Sequence, residues 1–186
     1  MISNYQPDLS HFGIFCRDIE RMKDFYCGSF DLQETDRGVG RTFTYTLVFL
    51  SGRSDQHHQL VLAANRAENS PSTVMQLSFK VQTIDHIREA RRRLLALGAT
   101  GMRGLNHGNA LSIYCSDPEE NTIEVYLDTP WYVSQPHGDP LDLSQDDATI
   151  WADTERIVRS DPSFMPLDQW KAQFAQRNAA LKQDPH

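Results

Sequence analysis

Cysteine is scarce in this chain: Cys16, Cys27 and Cys115 are all there is, and they follow no disulfide-framework spacing. An odd, scattered set of thiols excludes a disulfide-stapled secreted scaffold and suits a reducing compartment. Positive charge is short too, with 18 Lys and Arg against 25 Asp and Glu and a net charge of -7. Neutralising a phosphate backbone needs a basic surface, so nucleic acid is not an expected partner. The run Arg91-Arg92-Arg93 does not alter this, because it falls in an expected helix as a solvated face. Nor is there an apolar stretch of signal or membrane length, and Asp8 and Asp18 interrupt the N-terminal region. The expected location is cytoplasmic, with no membrane partner. What is there, 39% hydrophobic and 23% charged residues in a chain of 186, suffices for one full core or two modules sharing one.

The most informative stretch runs from His107 to Asp128, two alternating strands around Asp117-Pro118-Glu119-Glu120-Asn121. Pro fixes one φ in that turn and Asn tolerates a left-handed conformation. Leu111, Ile113, Cys115, Ile123, Val125 and Leu127 fall on one face, which is to be covered. Ser112, Tyr114, Glu124 and Tyr126 share the other, with His107 at its entrance. A mid-strand carboxylate among Ile and Val is costly to bury without a compensating charge or metal. Parity alone leaves this face either solvated or lining a site. Glu120 stands where such turns often need a positive φ, which points to strain or to another turn type.

Earlier in the chain, Leu9–Cys16 alternates as a strand with Phe12, Ile14 and Cys16 on one face and His11 on the other. Asp18 is placed to cap a helix carrying Ile19, Met22, Phe25 and Tyr26. A short strand over residues 32–37, a strand over Arg41–Phe49 with Phe43, Tyr45, Leu47 and Phe49 facing one way and Thr42, Thr44 and Thr46 the other, and a strand after His57-His58 follow. The pattern then restarts: His11–Glu20 lies over Gln76–Asp85, and the same offset lays Gln59 over Glu124. This predicts two strand–helix–three-strand units, about 9–64 and 74–128, with His11, Gln59, Gln76 and Glu124 at equivalent positions. Beyond Asp128 the chain is extended to Pro136. A capping box at Ser144-Gln-Asp-Asp147 then opens a helix through about Val158, and a last helix from Pro166 is expected to bury Leu167, Trp170, Phe174 and Leu181. The expected organisation is a paired βαβββ domain over 1–136 and a helical extension over 137–186 packed on it.

These residues resemble the vicinal oxygen chelate superfamily (glyoxalase, bleomycin resistance and extradiol dioxygenase proteins). Within it, the resemblance is to single-domain, catechol-type extradiol ring-cleaving dioxygenases. It rests on His107-Gly108, Ser112-x-Tyr114, Asp117-Pro118 through Asn121, Ile123-Glu124-x-Tyr126, the pair His57-His58 and Thr129-Pro-Trp-Tyr-Val-x-x-Pro136. The resemblance implies an α+β fold of two tandem βαβββ modules curled around a metal cavity. It implies a 2-His-1-carboxylate site for Fe(II) with open positions for substrate and O₂. His11 matches the first ligand and Glu124 the third, whereas Gln76 stands where the second histidine belongs. An amide oxygen is neutral, as imidazole is, but harder, so occupancy shifts toward other divalent metals, with Mn, Ni or Zn as alternatives to Fe(II). The resemblance gives His58 an acid/base role and has His107 and Tyr114 hydrogen-bond the substrate. His57 is expected to face solvent, and His86 and His137 carry no role.

The function so implied is ring cleavage of an aromatic vicinal diol or a related vicinal-oxygen substrate. Two alternatives stand beside it: a glyoxalase-like lyase or isomerase that needs no O₂, since that branch uses Gln as a ligand, and a non-catalytic small-molecule-binding member. Shared-sheet dimers are common in the superfamily, so the resemblance leaves a homodimer open, and the sequence itself does not fix the oligomeric state.

Overall fold

The computed structural model describes residues 7–183, with the side chains of 181–183 excepted. The chain divides into two compact units, one of Met1–Met75, Arg93–Thr100 and Ser116–Asn121, the other of Gln76–Arg92, Gly101–Cys115 and Thr122–His186.

The first unit carries β1 (Phe12–Cys16), α1 (Ile19–Phe30), β2 (Gln33–Val39), β3 (Thr46–Ser51) and β4 (Leu60–Ala64). Asp18 caps α1 as expected, with extended backbone and a side chain accepting from Arg21 N at 3.0 Å. Met22, Phe25, Tyr26 and Ser29 are the buried face of that helix. The strands pair in the order β1-β4-β3-β2, with β1 and β4 parallel from Phe12↔Leu60 to Cys16↔Ala64. Two expectations fail in β3. The strand starts at Thr46, because Val39 pairs with Thr46 and residues 40–45 are the hairpin connection, in which Phe43 N donates to Gly40 O and the Phe43 ring stacks on Tyr45. The fully buried side chains are Val48 and Leu50, on the parity assigned to the threonines. Alternation stops at Leu47-Val-Phe-Leu50, where both faces become apolar and parity no longer tells inside from outside.

The chain then repeats the plan with β5 (Leu77–Lys80), α2 (Ile84–Ala96), β6 (Thr100–Asn106), β7 (Ala110–Ser116) and β8 (Thr122–Asp128). Thr83 Oγ1 accepts from His86 N at the start of α2, and Ile84, Ile87, Ala90 and Leu94 form its buried stripe. Again the first strand of the module lies parallel to the last, Leu77↔Ile123 through Lys80↔Tyr126. The predicted duplication is thus present in topology, and the fold is α+β with two βαβββ modules. Its register differs by two residues from the one the sequence offset gave. Leu77 lies 65 positions after Phe12 but Ile123 only 63 after Leu60, so Val61, not Gln59, corresponds to Glu124. Gln59 precedes β4, where its Oε1 accepts from Gly52 N at 3.0 Å.

The remaining elements are β9 (Trp131–Tyr132), β10 (Asp139–Pro140), α3 (Asp147–Ser160), β11 (Met165–Pro166) and α4 (Leu167–Gln183). β10 adds to the edge of β6, giving the order β10-β6-β7-β8-β5, and β11 pairs with β9. The cap of α3 is Asp146 rather than Ser144: its side chain accepts from Thr149 N, while Ser144 turns back to Asp142. Ile150, Thr154 and Val158 are the buried side of α3. α4 is not the buried helix expected from its apolar residues. Trp170 stacks between Tyr132 and Phe174, and Phe174 remains 44% exposed; Leu181 lies outside the described side chains. No helix among the described residues is long and apolar enough to cross a membrane.

The turn between β7 and β8 belongs to the first unit and is a buried polar network. Asp117 accepts from Tyr26 OH at 2.8 Å, from Glu119 N and Asn121 N at 2.9 Å each, and from Asn121 Nδ2 at 2.7 Å. The Glu119 carboxylate accepts from the backbone N–H groups of Arg17 and Asp18, and Arg66 supplies the cation. The Asp-Pro-x-x-Asn string is therefore structural here. Every buried lone pair of Asp117 has a donor. Glu120, with Glu120 N donating to Asp117 O, sits at φ 69°. A left-handed non-glycine residue costs roughly 1–2 kcal/mol, partly offset by the extra unfolded-state entropy of glycine. Glu120→Gly is expected to raise unfolding stability by about 0.5–1 kcal/mol in urea titration. A lower urea midpoint would show that the Glu120 side chain itself contributes.

Candidate functional site

In the second unit the polar face predicted for the β7–β8 hairpin is present and is organised around one carboxylate. Glu124 is only 7% exposed and accepts hydrogen bonds from four neutral donors. Ser112 Oγ and Tyr114 OH donate to Oε1 at 3.0 and 2.5 Å, and Ser78 Oγ and Gln76 Nε2 donate to Oε2 at 2.6 and 2.9 Å. The pairing Ser78↔Glu124 and the two-residue alternation on β7 put these side chains on one face. Among the described residues no Lys, Arg or His forms an ion pair with Glu124, so the buried charge is hydrogen-bonded but not neutralised.

Tyr114 links this carboxylate to His107. His107 Nε2 lies 3.0 Å from Tyr114 OH, and His107 Nδ1 lies 2.6 Å from the carbonyl of His137. A carbonyl can only accept, so Nδ1 carries a proton. The single Tyr114 hydrogen cannot serve both His107 and Glu124. His107 is held at the start of β7 by His107 N to Ala110 O, and Gly108 at φ 71° lets the chain pass under Val133 with no room for a Cβ. Arg103 lies over the Tyr114 ring, 5.1 Å from its centroid.

Burial, and then the Glu124 carboxylate, push the Tyr114 phenol well above its ordinary range, so it is a neutral donor at physiological pH. A raised folded-state value contributes stability below about pH 10 and loses it as pH rises through that value. Tyr114→Phe removes one donor to a buried carboxylate and is expected to cost about 1–3 kcal/mol at neutral pH. The variant should also lose less stability than the parent between about pH 9 and 12, read from urea midpoints. Equal alkaline loss in both proteins would place the titration elsewhere.

In the first unit a second set of polar rings gathers. His11, just before β1, has its ring 4.3 Å from that of His58, which also lies 5.2 Å from Phe49. His58 Nδ1 is 3.0 Å from His57 Nδ1, and His57 Nε2 is 2.8 Å from Asp36. Burial, followed by the nearby His11 and His57, holds His58 below its ordinary value, which favours the neutral imidazole. His57 is exposed, as expected, but paired rather than free.

The structure thus brings Gln76, His107, Tyr114 and Glu124 together within the second unit and His11 and His58 together within the first. Among the described residues no group of three or more His, Cys, Asp or Glu side chains is placed to hold a metal ion. Gln76 is not of those residue types. The Gln76 amide nitrogen donates to Glu124 and Ser78, which leaves its carbonyl oxygen as a hard donor on the same side chain that meets the hard carboxylate. These two oxygens fit a divalent cation of the Mn, Fe or Mg kind. Three participants were missed from sequence: Ser78, which alternation from Gln76 along β5 would have found; Arg103, whose approach to Tyr114 no local pattern encodes; and the His137 carbonyl.

Residues 8–125 match the family described as Glyoxalase/Bleomycin resistance protein/Dioxygenase superfamily. No significant match was found among curated proteins. Solved structures similar to the chain include the fosfomycin resistance protein FosX from Mesorhizobium loti, at 26% identity and TM-score 0.51 over 69% of this chain and 94% of that one. FosX from Listeria monocytogenes, in complex with Mn(II) and sulfate, is similar at 21% identity and TM-score 0.51 over 69% and 95%. A glyoxylase/bleomycin resistance protein/dioxygenase domain from Frankia sp. EAN1pec is similar at 18% identity and TM-score 0.58 over 67% and 93%. The latter two likenesses concern the fold alone.

Proposed function

For a chain that belongs to the Glyoxalase/Bleomycin resistance protein/Dioxygenase superfamily, we propose a metal-dependent enzyme that binds an aromatic vicinal diol, or a related substrate, through two adjacent oxygens and cleaves it with Fe(II) and O₂. The observation that carries the metal reading is Glu124, a buried carboxylate with four neutral donors and no cation. Glu124 and Gln76 would hold the ion, and a bound ion would act as a Lewis acid on the substrate oxygens and give O₂ a place to bind. The chain's own residues do the rest. His107 and Tyr114 form a hydrogen-bonded pair able to hold or pass one proton at the phenol oxygen, which suits stabilisation of a charged oxygen of the substrate. His58 is assigned the acid/base role by resemblance. The stretch 137–186 is read as an extension of the same domain, not a second catalytic module.

A second reading has a specific observation behind it. Gln76 replaces an imidazole by an amide, and the similar Listeria FosX was solved with Mn(II). A lyase- or isomerase-like reaction in which the metal only polarises oxygen fits that ligand set without O₂. An oxygen electrode separates the two. Protein reconstituted anaerobically with Fe(II) should consume O₂ only when catechol is added. Turnover of a vicinal-oxygen substrate under nitrogen, with no catechol-dependent uptake, would put the second reading first.

A further inference from the structure

The strongest feature outside the Glu124 cluster is a cavity of about 410 Å³ at the β6 edge of the second unit. One wall is the loop after β10, fixed by Arg88 of α2. Arg88 Nη1 contacts Asp147 at 2.6 Å and Asp85 at 2.7 Å, Nη2 donates to Gln145 O at 2.7 Å, and Nε donates to Leu143 O at 3.1 Å. With its charge and donors committed, Arg88 is a buttress that holds the loop in place. Gly104 lets the loop come close: a Cβ there would collide with the Leu141 carbonyl, and Leu141 N donates to Gly104 O. The wall is therefore built before any ligand arrives.

The two other guanidiniums differ from Arg88. Arg91 and Arg103 line the same cavity, and among the described residues neither has a carboxylate partner; Arg103 lies against the Tyr114 ring. The one acid on the lining, Asp142, already accepts from Ser144 N and Ser144 Oγ. Met102, Ile113, Leu141 and Leu143 supply the apolar part of the wall. Two uncommitted forks beside an apolar surface make a specific demand on an occupant: an oxyanion at one end and an apolar body behind it.

We infer that this cavity binds a small organic anion, a carboxylate or phosphate carried on an apolar group, through Arg91 and Arg103. It is a site separate from the Glu124 cluster, with Arg103 the side chain that lies against both.

The test is a methyl-NMR titration of the full chain with benzoate, phenyl phosphate, inorganic phosphate and the neutral isostere benzamide. Benzoate and phenyl phosphate are expected to shift the Ile113, Leu141 and Leu143 methyls saturably, and their relative affinities tell which oxyanion the site prefers. Benzamide and inorganic phosphate, each lacking one half of the recognition, should bind about tenfold more weakly or less. Arg91→Gln and Arg103→Gln should each weaken benzoate about tenfold, and Gly104→Ala should weaken it by displacing the wall. Glu124→Gln should leave it unchanged, which separates this site from the proposed metal site. The inference is overturned if benzamide binds as well as benzoate, if the arginine variants bind normally, or if the Ile113, Leu141 and Leu143 methyls do not shift.

Discussion

Replacing Glu124 with glutamine is expected to abolish high-affinity metal binding and activity while leaving the fold in place. The carboxylate is the formal negative charge of the cluster, and among the described residues no other acid joins it. Removing even an outer-shell partner costs roughly 10–100-fold in metal affinity, and removing the charged ligand should cost more. The fold should tolerate the change because glutamine can be satisfied there. Its carbonyl can keep the bonds from Ser78 and Gln76, and its amide can donate to the Ser112 and Tyr114 oxygens once those hydroxyls rotate. A destabilisation of no more than about 1–2 kcal/mol in the metal-free protein follows. Isothermal titration with Mn(II) or Fe(II) reads the first effect and urea unfolding the second. Metal bound equally well by the variant would mean the charge comes from elsewhere.

Gln76→His should have the opposite sign. It leaves ligand charge unchanged and places an imidazole nitrogen where Fe(II) prefers it. One bond to Glu124 Oε2 is lost, yet Ser78 still donates to that oxygen at 2.6 Å, so the carboxylate stays anchored. Fe(II) affinity should rise about tenfold or more, and catechol-dependent O₂ uptake should appear or increase. If His58 is the acid/base, Gln76→His combined with His58→Phe should keep the iron and lose the uptake. Suppose Gln76→His binds iron well yet turns over no catechol, while the parent processes a substrate without O₂. Gln76 is then a working ligand for different chemistry, and the O₂-independent reading takes first place.

Much of this site was legible in the sequence. Period-two alternation put Ser112, Tyr114 and Glu124 on one face of the hairpin, and all three meet there. The repeated strand–helix–three-strand pattern gave both modules, and the structure adds that the closing strand of each runs parallel to its first. A constant offset could not give the register of those closing strands, because the connections before them differ in length, residues 52–59 before β4 against 117–121 before β8, and Gln59 was misplaced for that reason. Helix ends were legible where a capping side chain stands alone, as at Asp18. They were not where Ser144, Asp146 and Asp147 compete, since the winner depends on where the preceding loop turns. Arg103 over Tyr114 and the carbonyl of His137 beside His107 are long-range placements, set by packing of the stretch after Asp128, and no local period reports them. The Asp117 and Glu119 network was visible as a motif, but its role as buried turn chemistry became clear only from its donors.

Metal stoichiometry tests the central claim most directly. Protein incubated anaerobically with Fe(II), freed of unbound metal by gel filtration and analysed by plasma emission should carry about one iron per chain, and the Glu124→Gln variant should carry almost none. Native protein that elutes without metal, or a variant that retains as much as its parent, would contradict the reading of Glu124 as the anionic anchor of a metal site.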